Sequence, residues 1–319
     1  MKPWIIMRKG IYFNRHLEKQ MILVVGSGIL LGAIFHRNFI HLKPWVPYIF
    51  AYMTFAISLG SSSRDFVNAV RKPGIYLYIF SCLHIILPGI ATILSRIFFP
   101  DNPQLQAGII LGTAIPIGVA SSIWVSISKG NTAMSLTSVV ADTILSPFVV
   151  PLIVLVTVGQ SIKFDILQLM FGLTGMIVIP TIIGVALHDF TQGRIKRKVG
   201  FITGPTTKIL LAAVIATNLA VVWNSLSLLK TAIPLVITLV FTVSCSGYLL
   251  GYLTAKITKM PAELHNTMIF TIGMRNITAG LVMALNYFPE LTAIPVVFSI
   301  IFQQPLAGLS FKFLTRKSN

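Results

Sequence analysis

A single arginine lies within an apolar stretch long enough to cross a lipid bilayer. Arg275 is the only charged residue between Leu264 and Phe288, and small and amide-bearing side chains surround it in the segment 271–280. Placing an arginine at the centre of a membrane helix costs at least ~2.5–3.5 kcal/mol. We therefore expect Arg275 to face a partner, a cavity or a substrate, in a helix that is interrupted at membrane depth.

A carboxylate occupies a second apolar stretch. Ser135, Val139 and Asp142 are spaced i, i+4 and i+7, so they share one face of a helix. A buried carboxylate pairs with a cation, binds a metal ion or takes up a proton. Arg275 is the candidate partner, since both residues lie about twelve positions into their apolar runs. A purely structural ion pair and a functional site are equally compatible with this pattern.

Three further polar side chains lie inside apolar segments. His84 is either a packing residue or a proton carrier. Gln303 and Gln304 precede Pro305 and place two amides at depth, where they bind a ligand or join neighbouring helices. Tyrosine, phenylalanine and methionine residues along the apolar runs are interpreted as lipid-facing or packing positions.

The elements that position these residues follow from composition. The chain has 319 residues, of which 55% are hydrophobic and only 10% charged, whereas soluble domains carry about 25% charge. The apolar runs are long and continuous, which favours an all-α polytopic membrane protein over a β-barrel. The net charge of +17 is explained by basic cytoplasmic loops, so the predicted partner is the lipid bilayer and not a nucleic acid.

Ten membrane-spanning helices are predicted from the apolar runs. Their approximate ranges are 20–36, 44–61, 74–95, 105–128, 131–158, 165–189, 206–224, 231–255, 263–288 and 291–313. Of the 25 Lys and Arg residues, 19 fall on one side and five on the other, with Arg275 inside a span. The basic side is cytoplasmic, so both termini are predicted inside, in a multi-pass protein of a bacterial inner membrane.

Ten spans divide into two halves of opposite orientation, about 20–158 and 165–313, as an inverted repeat requires. Spans four and nine both contain a break of small and polar residues, at 114–122 and 273–280. Such matched breaks are typical of transporter sites, although two ordinary helix kinks would also produce them. No motif of a membrane enzyme is present, so the chain is predicted not to be an enzyme, and a channel or sensor is the weaker alternative.

Several motifs resemble those of the bile acid:sodium symporter family. They are AIPIGVAS at 114–121, KGNTAMS at 129–135, LSP at 145–147, ELHNT at 263–267 and GMRN at 273–276. The resemblance covers nearly the whole chain. It implies one transmembrane transporter domain over residues 1–319, in which broken helices four and nine cross. It also implies a core of spans three to five and eight to ten, and a panel of spans one, two, six and seven.

The resemblance also implies where ligands bind. Family members move organic anions, such as bile acids, pantoate or 2-keto acids, and many bind two sodium ions. The residues that fall at substrate positions are Asn276, Gln303, Gln304, Pro116 and Val119. Those that fall at ion-coupling positions or replace them are Ser121, Ser122, Ser135, Asp142, His84, Thr271, Met274 and Arg275. Apart from a coupling ion, Na⁺ or H⁺, no cofactor is expected.

The ion positions depart from the family pattern. Thr271 stands where the family has a glutamate, Val139 where it has a threonine and Arg275 where it has a glutamine. Because a guanidinium repels Na⁺, we infer that Arg275 replaces the second sodium ion and that Asp142 balances its charge. A Na⁺ site at Ser121, Ser122, Ser135 and Asp142, proton coupling through Asp142 or His84, and uncoupled exchange all stay open.

Overall fold

Helices account for almost all of the described chain. The computed structural model describes residues 3–64, 67, 73–159, 161–162, 164–229 and 231–317. In chain order its α-helices are α1 (Pro3–Lys19), α2 (Met21–Ile34), α3 (His36–Phe39), α4 (Val46–Ser58), α5 (Pro73–Ser81), α6 (Leu87–Phe98), α7 (Pro103–Ala114), α8 (Ala120–Ile127), α9 (Thr132–Val158), α10 (Ile166–Leu173), α11 (Ile179–Phe190), α12 (Arg194–Leu228), α13 (Ile233–Ile257), α14 (Ala262–Gly273), α15 (Ile277–Tyr287) and α16 (Ala293–Lys317). Single π-helical turns, Cys82–Ile86 and Thr174–Val178, join α5 to α6 and α10 to α11.

Within these described ranges, six helices are long and apolar enough to cross a membrane. They are Gly74–Phe98, Thr132–Val158, Ile166–Phe190, Arg194–Trp223, Ile233–Ile257 and Glu290–Leu314. They correspond to predicted spans three, five, six, seven, eight and ten. A pair of helices bent by 96°, Leu23–Ile34 and His36–Ser58, covers predicted spans one and two and makes a seventh candidate if it is one span.

Predicted spans four and nine are each divided into two short helices. The first break separates α7 from α8, and the second separates α14 from α15. Ile115 adopts an extended conformation (ψ 154°) because the following Pro116 disfavours the helical region. Met274 is extended as well (ψ 126°). The structure therefore confirms the all-helical membrane class and the two breaks, while ten spans in two inverted repeats stay a prediction.

The chain forms two compact units. The first comprises the residues up to Ser63 and Gly172–Asn224, and the second comprises Arg64–Phe171 and Ser225–Asn319. In the first unit, α2 and α12 approach closely. A Cβ on Gly28 would lie 2.7 Å from the carbonyl oxygen of Ala212. Small residues at such contacts let two membrane helices meet backbone to backbone.

In the second unit, α13 packs against α14 in the same way. A Cβ on Gly251 would lie 2.6 Å from the carbonyl oxygen of Met268 and 2.8 Å from the Cα atom of Ile269. The turn before α9 is also tied to α14, because the backbone N–H of Asn131 donates to Thr267 Oγ1 at 2.7 Å. The Asn131 side chain then caps α9 by accepting from the backbone N–H of Met134 at 2.9 Å. These contacts fix α9 and α14 around the two breaks.

The close α13–α14 contact generates a stability prediction. Gly251→Ala places a methyl group against the backbone of α14, so we expect it to lower the free energy of unfolding by ~1–3 kcal/mol. Gly89→Ala makes the same change on α6, where a Cβ meets no atom within 4 Å. Thermal unfolding of the full chain in detergent measures the stability of both variants. A Gly251→Ala melting temperature equal to that of Gly89→Ala would contradict the close packing.

Candidate functional site

The two breaks meet in the second unit and pair with each other. Ile117 and Arg275 form an isolated antiparallel β-bridge. The backbone N–H of Gly118 donates to the carbonyl of Met274 at 3.1 Å, and the N–H of Asn276 donates to the carbonyl of Pro116 at 2.7 Å. We call these paired segments, 115–119 and 274–276, the crossover.

A glycine permits the closest contact of the crossover. A Cβ on Gly118 would lie 2.6 Å from the carbonyl oxygen of Arg275 and 2.9 Å from its carbonyl carbon. Any larger residue would therefore push the two segments apart. The close contact with the Arg275 backbone thus explains why position 118 requires glycine, which the sequence alone does not show.

Side chains from two long helices bind the outward-facing N–H groups of the crossover. The backbone N–H of Ile117 donates to Asp142 Oδ2 on α9 at 2.6 Å. The backbone N–H of Arg275 donates to Gln303 Oε1 on α16 at 2.9 Å. Asp142 and Gln303 therefore have corresponding roles, because each fastens one crossing segment to the long helix that follows it.

Two helices begin at the crossover and direct their N-terminal ends toward it. The helix α8 begins at Ala120, directly after the first crossing segment, and α15 begins at Ile277, directly after the second. Asn276 caps α15, since its Oδ1 accepts from the backbone N–H of Ala279 at 3.3 Å. Helix N-termini carry a partial positive charge and unpaired N–H groups, so this region favours an anion.

Asp142 pairs with His84 and not with Arg275. Its Oδ1 lies 2.7 Å from His84 Nε2, and its side chain has no exposed surface. His84 lies on the π-helical turn between α5 and α6, where its ring stacks on that of Phe80. The predicted direct pair between Asp142 and Arg275 is therefore wrong. Helical spacing correctly placed Asp142 on a buried face, but the π-helical turn Cys82–Ile86, and not the second crossing segment, supplies its partner.

Arg275 is buried without a hydrogen-bonding partner for its side chain. The residue is 5% exposed, and its Nε, Nη1 and Nη2 atoms make no hydrogen bond to any described residue. Arg275 lines a cavity of about 30 Å³. Asp142 acts on it through charge but forms no ion pair with it in the described part of the chain. The expectation of a cavity beside Arg275 is met.

Four hydroxyl groups converge beside the crossover. Ser135 Oγ lies 3.4 Å from Ser121 Oγ and 3.1 Å from Ser122 Oγ, and it accepts from Thr271 Oγ1 at 3.3 Å. All four side chains are buried. We call these residues the hydroxyl cluster.

The hydroxyl cluster differs from the predicted ion site in one member. Among the described residues no hydrogen bond joins Asp142 to these hydroxyls, because its two oxygens contact His84 and Ile117. Thr271 takes part instead. Val139 packs in the hydrophobic core and contributes no oxygen. The oxygens that meet are therefore neutral.

The remaining predicted residues line or support the crossover. Gln304 Oε1 accepts from Trp124 Nε1 at 3.1 Å. Pro116 is buried, as is Met274, and both contribute backbone carbonyls to the crossover bonds. Val119 is half-buried and packs against the core cluster that contains Ile117.

The sequence interpretation missed two aromatic residues with polar roles. The Tyr248 hydroxyl donates to the carbonyl of Gln303 at 2.9 Å, and Trp124 holds the Gln304 amide. From the sequence, Tyr248 is interpreted as a packing or lipid-facing residue, and Trp124 is not singled out. A usable signal was present at Tyr248, because it directly follows a run of small residues, Ser244 to Gly247, where another helix can approach closely.

Comparisons with known proteins agree with these motifs. A model described as the Sodium Bile acid symporter family matches residues 46–226. The chain is 33% identical to the Bacillus subtilis (strain 168) protein YbaS over 93% of this chain and 97% of that protein. It is 27% identical to the sodium-dependent transporter YocS of the same organism, over 85% of this chain and 83% of that protein. It is 26% identical to the human ileal sodium/bile acid cotransporter, over 83% of this chain and 77% of that protein.

The family model covers more than half of the chain, and the similarity to YbaS extends over nearly all of both proteins. Relatives from bacteria to humans are named as transporters. This chain therefore belongs to the sodium bile acid symporter family, whose members are membrane transporters and not enzymes.

Proposed function

We propose that this protein is a secondary active transporter that moves a small organic anion across a bacterial inner membrane by alternating access. The observation that supports this most directly is the crossover, where two interrupted helices pair by backbone bonds within apolar segments. Interrupted helices at membrane depth provide backbone groups and helix ends for ligands. The proposal includes ten spans in two inverted repeats, with both termini in the cytoplasm.

The proposed substrate is a carboxylate, such as pantoate, a 2-keto acid or a bile-acid-like compound. The N-terminal ends of α8 and α15 favour a negative group. Asn276 is half-buried, and while its Oδ1 caps α15, its Nδ2 is a donor available to a ligand. In this proposal Gln303 and Gln304 supply further amide groups, and Pro116 and Val119 form an apolar wall.

For the coupling ion we propose one Na⁺ at the hydroxyl cluster. Oxygen ligands suit this cation, and Ser121, Ser122, Ser135 and Thr271 bring four hydroxyl oxygens together. A second sodium ion beside Arg275 would be repelled by about 4 kcal/mol at 4 Å with an effective dielectric constant near 20. Arg275 thus takes the place of that second ion.

A proton is the alternative coupling ion, and the pair of His84 and Asp142 favours it. The pair is buried at 2.7 Å, and His84 Nδ1 makes no hydrogen bond within the described ranges. A proton arriving at His84 would bind this nitrogen, since Nε2 faces the carboxylate. Because Asp142 also holds the backbone of Ile117, protonation would act directly on the crossover.

Uptake into proteoliposomes tests the proposed function. A thermal-shift screen of small carboxylates first identifies a stabilising ligand. We then expect an inward Na⁺ gradient to drive accumulation of the labelled ligand with about one Na⁺ per molecule, since Arg275 replaces the other ion. A stoichiometry near two would contradict that replacement. Binding without flux under any Na⁺ or H⁺ gradient would exclude a carrier.

The hydroxyl cluster generates a sharper prediction. Ser135 contacts the other three hydroxyls, so Ser135→Ala should raise the Na⁺ concentration for half-maximal uptake about tenfold, as loss of about 1.4 kcal/mol implies. Ser138→Ala is the matched control, because Ser138 lies on the same helix, is equally buried and donates only to the carbonyl of Met134. Equal Na⁺ dependence in the two variants would place the ion elsewhere.

A third substitution separates sodium coupling from proton coupling. The Gln side chain of His84→Gln retains an N–H donor for Asp142 but does not titrate between about pH 5 and 8. With sodium coupling we expect Na⁺-driven uptake to persist with a flatter pH profile. If instead the variant loses proton-driven accumulation while substrate exchange continues, His84 carries the coupling proton and the sodium proposal fails.

A further inference from the structure

The Arg275 side chain is a buried cation whose charge no contact neutralises. Its three nitrogen atoms make no hydrogen bond to a described residue. Asp142 acts on this side chain through charge only, since its oxygens lie 2.7 Å from His84 Nε2 and 2.6 Å from the Ile117 nitrogen and it forms no ion pair with Arg275 in the described part of the chain. Burying a charge is costly unless it is paired and hydrogen-bonded. A bound counter-ion would therefore lower the free-energy cost of burying Arg275.

The cavity beside Arg275 has both apolar and polar walls. Its volume is about 30 Å³, and the polar side chains around it include Thr113, Ser244, Tyr248 and Ser299. The threonine and serine hydroxyls each bond a carbonyl of their own helix, at 2.7 to 3.1 Å. Since hydroxyl hydrogens rotate to suit a partner, these groups can donate into the cavity instead.

The surrounding backbone adds to the positive character of this cavity. Arg275 lies just before α15, and Ile277, at the first position of that helix, also lines the cavity. Glycines at 112, 247 and 273 line the cavity. A Cβ on Gly112 would meet only Ser299 Oγ, at 3.4 Å, whereas one on Gly273 would lie 2.5 Å from the Tyr248 ring. An N-terminal helix end and an unpaired guanidinium together select an anion over a cation.

We propose that this cavity binds one small inorganic anion of the size of chloride, which serves as the counter-ion of Arg275. The volume of about 30 Å³ is roughly two to three times the 10–15 Å³ that one water molecule requires, which suits a monatomic anion better than an organic carboxylate. Gln303 borders this cavity and also belongs to the proposed substrate site, so the two sites are neighbours, but the inference does not depend on which substrate is carried. Because the Arg275 backbone forms half of the β-bridge, the bound anion stabilises the crossover.

Thermal unfolding of the full-length protein in detergent tests the proposal. The Na⁺ concentration and ionic strength are held constant while sodium chloride replaces sodium methanesulfonate, whose anion is too large for the cavity. We expect chloride at about ten times its Kd to raise the Tm by roughly 2–4 °C. Equal Tm values in the two salts would overturn the proposal and leave a cavity that holds water only.

Two pairs of variants test whether the chloride-dependent increase in Tm arises at this cavity. Arg275→Gln removes the charge and should abolish the chloride shift, whereas Arg96→Gln, at an exposed arginine that bonds the carbonyl of Thr157, should retain it. Gly112→Ala keeps Arg275 but fills part of the cavity, where its Cβ would meet only Ser299 Oγ at 3.4 Å. Gly89→Ala is its matched control on α6.

Gly112→Ala keeps the test decisive even if Arg275→Gln does not fold. We expect it to lose most of the chloride shift while Gly89→Ala keeps the wild-type value. A wild-type shift in Gly112→Ala, or in a folded Arg275→Gln protein, would place the anion elsewhere and refute the site. Diffraction from crystals grown in sodium bromide gives an independent readout, since an anomalous peak beside the guanidinium is expected and its absence would contradict the proposal.

Discussion

The backbone groups of the crossover must be hydrogen-bonded, because they lie in segments that cross a membrane. Unpaired N–H and C=O groups are too costly in that environment. The two segments satisfy part of this need through each other, with bonds of 3.1 and 2.7 Å. Asp142 and Gln303 satisfy the N–H groups that face outward. Both side chains therefore hold the fold together in the same place where a ligand would bind.

This double role determines the electrostatics of the region. Asp142 contacts the N–H of Ile117 and His84, and among the described residues its carboxylate forms no hydrogen bond or ion pair with the hydroxyl cluster or the Arg275 guanidinium. The cluster therefore consists of neutral oxygens, and Arg275 keeps an unpaired charge beside a small cavity. The hydroxyl cluster and the crossover are covalently connected, since Ser135 and Asp142 lie on one helix, α9.

Membership in a sodium-dependent transporter family does not transfer each ion site to this chain. Thr271 joins the hydroxyl cluster as a neutral group, and Arg275 adds a positive charge to the second crossing segment. Both changes reduce the negative charge available to cations near the crossover.

The sequence by itself determined the class of the protein and the places where its helices break. Apolar run length and depletion of charge are local properties, and so are the proline and small residues at 114–122 and 273–280. The partner of Asp142 was decided only by tertiary structure, because i, i+4 and i+7 spacing defines a helix face but not which neighbouring helix it meets. The hydroxyl cluster draws on three chain segments that only packing brings together. The Arg275 cavity depends on space left between several helices, which no pattern along the chain records.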